Sequence, residues 1–172
     1  MPSHYVKTIK NDKEDEEMKL FHKKKNSITN PVNGEVIPIE KVPDTVFSAK
    51  LLGDGFGVEP TDGEIYSPVN GKVVSIFPTK HAISIVTNDG MEVLVHMGID
   101  TVELEGKCFD MLVTAGQKIT NNTKIAKMDI PYILDKQKLT TIIVAFTNVK
   151  DATIQLQIGN QLAKTEIATI NK

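Results

Sequence analysis

From Ser27 onward, apolar and β-branched residues come in short runs separated by turn residues. Glu35-Val36-Ile37-Pro38-Ile39, Lys72-Val73-Val74-Ser75-Ile76-Phe77, Ala82-Ile83-Ser84-Ile85-Val86 and Met91-Glu92-Val93-Leu94-Val95-His96 read as strands, and Thr140 to Phe146 is a further candidate. Asn-Gly or Asp-Gly pairs at 33–34, 62–63, 70–71 and 89–90 punctuate them as hairpins and turns. No long stretch keeps a helical period, and Ile130 to Lys138 has room for one short helix at most. Many short strands with frequent turns predict an all-β, antiparallel sandwich or barrel with no more than short helical turns.

Part of that pattern occurs twice. Pro31-Val32-Asn33-Gly34-Glu35-Val36 and Pro68-Val69-Asn70-Gly71-Lys72-Val73 are nearly the same hexapeptide. A proline at a strand edge, a turn at Asn-Gly and a β-branched residue leaving it are built the same way twice. Two copies are too few for a solenoid. A duplicated motif within one sandwich is the economical reading.

The first 26 residues have a different texture. Asn11-Asp12-Lys13-Glu14-Asp15-Glu16-Glu17 is acidic, and Lys23-Lys24-Lys25 follows a short Met18-Lys19-Leu20-Phe21 patch. A segment so dense in charge buries too little apolar surface to offset its ordering entropy, so residues 1–26 read as a solvated tail. Residues 27–172 then form one domain, as a length of 172 residues suggests.

Composition narrows the function. The net charge is −2 and all 20 basic residues are lysines. Bidentate base readout normally uses Arg, so nucleic acid is a poor partner for this chain. No run approaches the roughly 20 apolar residues of a membrane span, and Met1 to Lys10 lacks a signal-peptide core. A soluble, cytoplasmic protein is expected. One cysteine, Cys108, excludes an intramolecular disulfide and a Cys-rich zinc site, and a single thiol fits a reducing compartment.

Two of the four histidines stand beside strand-like runs. His81 opens Ala82 to Val86, and His96 closes Met91 to Val95. The two are close to symmetric about Asn88-Asp89, so a hairpin there brings the imidazoles together at its open end. Alternation puts His96 on one face with Leu94, Glu92 and Gly98. A partly desolvated imidazole at such an edge is neutral and able to act as a nucleophile. Geometry alone leaves three readings: paired chemistry, a structural cross-strand pair, or half of a metal site. His4 and His22 fall in the tail.

Other signals are weaker. Gly53-Asp54-Gly55-Phe56-Gly57 lacks the G-x-G-x-x-G spacing and reads as a glycine-rich turn or bulge. Ala126-Lys127-Met128 is similar to the modified turn of biotin and lipoyl carriers, yet Lys127 is expected within a strand, facing solvent. There is no G-x-S-x-G, no H-E-x-x-H and no H-x-H element.

The run Gly90-Met91-Glu92-Val93-Leu94-Val95-His96-Met97-Gly98-Ile99-Asp100-Thr101-Val102 resembles the phosphorylation signature of the glucose-type enzyme IIA family of sugar phosphotransferase systems. The pattern asks for Gly, three apolar residues before His, then apolar-Gly-apolar, and Thr three places after that Gly. Every element is present. Val42-Pro43-Asp44-Thr45-Val46-Phe47, Gly53-Asp54-Gly55, Pro68-Val69-Asn70-Gly71, Thr79-Lys80-His81-Ala82 and Thr147-Asn148 also fall in family-like order. The likeness covers about residues 28–170.

The resemblance implies a set of roles. His96 would accept a phosphoryl group on Nε2 from phospho-HPr and pass it to a cysteine of the enzyme IIB domain of a sugar permease. His81 would steady that group, and Thr79 would orient His81. Phe47 and Phe77 match apolar positions around the site, and Asp44 and Asp100 match acidic positions that face basic residues of partners. Leu94 and Met97 stand where many relatives carry Phe, which implies an apolar but reshaped partner surface. No cofactor is required. Regulated permeases or kinases are further partners, with zinc held between His81 and His96 and a partner's carboxylate in a regulatory complex. Membranes are reached only through partners. Two rivals are a zinc peptidase, which needs a His where Leu94 stands, and a carrier modified on Lys127.

Overall fold

The computed structural model describes residues 26–150 and 152–171, so the expectation of a tail over 1–25, with His4 and His22, lies outside the described residues. Strands are numbered in chain order. The first among the described residues, β1, spans Asn26–Thr29 and so includes Asn26, the last residue the sequence reading assigned to the tail.

Among the described residues every strand pairing is antiparallel, in three sheets. The largest has eight strands. From one edge they are β13 (Gly159–Gln161), β2 (Gly34–Pro38), β3 (Asp54–Pro60) and β11 (Leu139–Phe146). Then come β7 (Glu92–Ile99), β6 (Ala82–Val86), β5 (Gly71–Ile76) and β9 (Lys118–Ile119). A second sheet orders β4 (Glu64–Tyr66), β10 (Lys124–Met128) and β8 (Phe109–Met111). The third orders β1, β14 (Glu166–Asn171) and β12 (Thr153–Leu156). Two α-helices are present among the described residues, α1 (Thr45–Ser48) and α2 (Ile130–Asp135). The large sheet stays open, with β13 and β9 at its edges, so the fold is a sandwich rather than a closed barrel.

Alternation along the strands makes two apolar layers. On β7, Val93, Val95 and Met97 point into the main core with Ile83 and Ile85 of β6, Val144 and Phe146 of β11, and Phe56 and Val58 of β3. The opposite face of the same strands carries Leu94, Ile143 and Ala145. A segment running from Ile39 through α1 crosses that outer face. There Ile39, Val42 and Phe47 close a second, smaller cluster with Ile99, Ile143 and Ala145. The candidate chemistry sits beside this second layer.

The repeated hexapeptide is built twice, as its sequence implies. In each copy the Asn-Gly pair ends a bend, and the glycine starts a strand, β2 or β5. A methyl at Gly34 would lie 2.1 Å from the Glu59 carbonyl oxygen, and one at Gly71 would lie 2.2 Å from that of Val86. Close backbone approach therefore demands glycine at both places. The copies also brace each other reciprocally. The Thr29 N–H donates to the Pro68 carbonyl at 2.9 Å, and the Tyr66 N–H to the Pro31 carbonyl at 2.7 Å.

One local expectation needs correction and another holds. Gly53 closes a turn, with φ 107° and its N–H donating to the Lys50 carbonyl at 3.1 Å, but Asp54 to Gly57 is neither turn nor bulge: it belongs to β3, in the middle of the large sheet. The strand needs glycine at position 55, because a Cβ there would stand 1.9 Å from the Val144 carbonyl oxygen. Lys127 lies within β10 and is exposed, as expected.

Candidate active site

His96 sits on β7, directly between Ala82 of β6 and Ile143 of β11. Strand parity turns its ring to the outer face with Leu94, beside the second apolar cluster. His81 lies just before β6 and is 9% exposed. The two imidazole centroids are 5.1 Å apart, with the rings at 74°.

The hairpin alone does not produce this encounter. The ladder pairs Val86 with Glu92 and Ala82 with His96, so His81 falls one residue past the position opposite His96. The approach depends on the turn from β5. Lys80, just before His81, has a left-handed backbone with φ 58°, and its N–H donates to the Phe77 carbonyl at 2.7 Å. That turn delivers both Phe77 and His81 to the site. Its carbonyl end is pinned as well, since Met97 N–H donates to the His81 carbonyl at 2.7 Å.

Each imidazole has one ring nitrogen fixed. His96 Nδ1 is 2.8 Å from the Gly98 carbonyl oxygen. A carbonyl only accepts, so Nδ1 carries the proton and Nε2 keeps a free lone pair. His81 Nδ1 is 2.6 Å from the Thr79 hydroxyl. Phe47 meets His96 edge-on with centroids 5.0 Å apart, and Phe77 meets His81 likewise at 5.4 Å. Aromatic walls on both rings exclude water from them.

Both histidines are held neutral. Burial pushes His96 down to about 4, and the facing His81 adds to the effect. The Gly98 hydrogen bond and the charges of Asp44 and Asp100 pull the other way without prevailing. Burial lowers His81 too. His96 takes the larger shift although His81 is the less exposed residue, because burial weighs more on a ring set within a central strand than on one that precedes its strand.

Asp44 has a job inside the fold. It caps α1, its Oδ1 accepting from Val46 N–H at 2.8 Å and Phe47 N–H at 3.3 Å. This cap holds Phe47 against His96. The Asp44-Thr45 pair before Val46-Phe47 is a helix-start signal, and α1 was not anticipated from the sequence.

A groove of about 810 Å³ runs over the site, and Asp44, Phe47, Phe77, His81, Leu94 and His96 are among its lining residues. Val46, Leu52 and Val74 also line it and are exposed apolar residues, a rim that strand-by-strand reading did not reveal. Phe77 is 40% exposed there. Asp100 is exposed with a left-handed backbone at the end of β7. Met97 corrects the expectation for the partner surface: it is fully buried in the main core. The parity that exposes His96 buries its neighbour. Among the described residues, no group of three or more His, Cys, Asp and Glu is placed to hold a metal ion.

Comparison with known proteins bears on the family and the fold. Residues 26–152 match the family model described as phosphoenolpyruvate-dependent sugar phosphotransferase system, EIIA 1. A protein from Staphylococcus aureus named PTS system glucose-specific EIIA component is 38% identical over 159 residues, covering 89% of this chain and 96% of its own length. A longer protein from Streptococcus pneumoniae, named PTS system glucose-specific EIICBA component, is 46% identical over 141 residues, which is 80% of this chain and 19% of that one. The solved structure titled glucose permease IIA from Mycoplasma capricolum superposes with a TM-score of 0.81 at 34% identity, covering 87% of this chain and 97% of that one.

Proposed function

Because the chain belongs to the EIIA 1 family of the phosphoenolpyruvate-dependent sugar phosphotransferase system, we propose that it is a phosphocarrier that takes a phosphoryl group on His96 Nε2 and hands it on during sugar uptake. The observation that carries this reading is the facing pair of imidazoles, 5.1 Å apart, with His96 Nδ1 held 2.8 Å from the Gly98 carbonyl oxygen. His96 is neutral, with its proton on Nδ1 against the Gly98 carbonyl and its Nε2 lone pair free.

In the accepting step the Nε2 lone pair bonds to phosphorus as the P–N bond of phospho-HPr breaks. In the donating step a cysteine thiolate of enzyme IIB attacks phosphorus, and Nε2 leaves with its electron pair restored. Phosphoryl transfer needs little covalent work from the protein, so alignment and charge stabilisation dominate. When the Thr79 hydroxyl donates to His81 Nδ1, His81 Nε2–H is left as a donor for phosphoryl oxygens in a water-poor site. The apolar rim of Val46, Leu52 and Phe77 suits a protein partner, and Asp44 in the groove with the exposed Asp100 at the end of β7 suits a basic one. HPr and the enzyme IIB domain of a sugar permease are the partners this reading assigns. Among the described residues no helix is long and apolar enough to cross a membrane, and the membrane is reached through the permease.

Regulatory binding to permeases or kinases uses the same surface. The pair of imidazoles 5.1 Å apart offers zinc two nitrogen ligands, and further ligands would come from the partner or water. Zinc would supply a bridge between the two proteins there and is not needed for transfer.

The test is incubation with phosphoenolpyruvate, enzyme I and HPr. One acid-labile phosphate should appear per chain, and His96→Ala should abolish it. His81→Ala should still accept phosphate and pass it on poorly. Labelling that persists in His96→Ala would sink the assignment.

A further inference from the structure

The signature around His96 ends in Thr101, which the chemistry above leaves without a role. It is fully buried. Its hydroxyl donates to the Met97 carbonyl at 2.6 Å, and its methyl stands where a Gly98 side chain would be, 2.3 Å from the ideal Cβ. The Leu139 carbonyl oxygen hems Gly98 from the neighbouring strand, 2.8 Å from that same Cβ position.

Gly98 is the feature these groups enclose. In a regular strand the carbonyl at i+2 lies in the plane of the sheet, aimed at a neighbouring strand, and cannot meet the side chain of residue i. Two departures free it here. The β7–β11 register slips between the Ile99–Leu139 and Met97–Ile142 pairs, at the level of Gly98. The Gly98 backbone is left-handed, with φ 77°. A bulge-like irregularity re-aims a backbone group at the cost of a ladder bond. The result is the 2.8 Å contact from Gly98 O to His96 Nδ1.

We propose that Thr101 is a positioning residue of the phosphoryl site, holding the Met97–Gly98 peptides in the left-handed turn that keeps the His96 proton on Nδ1 and the Nε2 lone pair free. Its hydroxyl fixes the Met97 carbonyl, and its methyl fills the space on the far side of Gly98. The Met97 N–H is tied to the His81 carbonyl. One residue, Met97, therefore joins Thr101 to both imidazoles. A neutral imidazole free to choose would populate both tautomers, and the form with hydrogen on Nε2 has no lone pair there to attack phosphorus.

The inference rests on the phosphocarrier reading, but its primary readout does not. Full-length chain labelled with 15N at histidine reports the His96 tautomer directly by NMR. Wild type should show hydrogen on Nδ1 alone. Thr101→Val keeps the shape and removes the hydroxyl; it should show both tautomers and accept phosphate from phospho-HPr about tenfold more slowly, the scale on which groups that orient a ligand imidazole act. Thr101→Ser restores the hydroxyl and should return to the wild-type tautomer with most of the rate. Thr101→Ala serves where the valine variant does not fold, with spectra taken below each melting temperature. A folded Val or Ala variant with the wild-type tautomer and a rate within about twofold overturns the proposal, as does a Ser variant that loses the tautomer. Wild-type protein that takes no phosphate overturns the carrier reading instead, and the tautomer comparison still decides the role of Thr101.

Discussion

Val42 rests on Gly57: a methyl at Gly57 would come within 2.7 Å of Val42 Cγ2 and 3.0 Å of Ile37 Cγ1. Gly57 lies in mid-sheet on β3, facing the crossing segment that carries Asp44 and Phe47. The site thus depends on a missing side chain two strands away from His96. Gly57→Val should overpack this contact and cost about 1–3 kcal/mol. It should also lift Phe47 off His96, so the His96 pKa moves up from about 4 towards its ordinary value. Urea unfolding and an NMR titration measure the two effects, and an unmoved titration would show that the crossing segment does not shield the ring.

Phe47→Ala attacks the same shield directly. Phe47 is 4% exposed and packs in the outer cluster, so its loss should destabilise the fold by about 3 kcal/mol or more. Water then reaches His96. Its pKa should rise, and the fraction of neutral ring near pH 6 should fall. The acceptance rate at pH 6 relative to pH 8 should therefore drop in the variant and stay level in wild type.

Asp44 combines two roles that one substitution can separate. Asn caps helices about as well as Asp, so Asp44→Asn should leave stability within about 0.5 kcal/mol. Removing the charge takes away a contribution that raises the His96 pKa, which should fall further. Association with a basic partner should slow and become less sensitive to salt. Asp44→Ala loses the cap too, and should cost about 1 kcal/mol. Equal melting of the Asn and Ala variants would argue against the cap.

Acid should weaken the fold through His96. Its folded pKa of about 4 lies below the unfolded value of 6.5, so between those values the unfolded chain binds the extra proton. Stability gained from this group is complete above about pH 6.5, falls as pH drops towards 4, and amounts to roughly 3 kcal/mol. His81, also lowered by burial, acts in the same direction. His96→Gln should flatten the dependence of unfolding free energy on pH in that window. A variant with the wild-type slope would mean that the ring is charged in the native state.

Thr79→Val leaves His81 Nδ1 without its hydroxyl partner. Acceptance should change little, whereas onward transfer to a IIB cysteine should slow about tenfold as His81 loses its orientation. Separate single-turnover measurements of the two steps test this. Equal slowing of both would remove the division of labour between the imidazoles.

What the residue pattern determined by itself was local and periodic. Alternation set which side of β7 each residue takes, so Leu94 and His96 share a face while Val93 and Val95 enter the core. Asn-Gly and Asp-Gly pairs marked the bends, and the repeated hexapeptide forecast two strands with the same glycine constraint. The family likeness carried through the run around His96 singled out the two histidines. Tertiary structure decided what depends on contacts between distant segments. Gly55 and Gly57 read as part of a turn because local propensity penalises glycine in strands, yet approach of the Val144 backbone to the one and of Val42 to the other makes glycine the residue that fits. Met97 was misplaced by resemblance, and parity put it in the core. The meeting of His81 with His96 rests on one left-handed residue, Lys80, that no periodicity announces. The neutral state of His96 is likewise collective, since burial among strands far apart in sequence, and not its immediate neighbours, removes the water that would charge it.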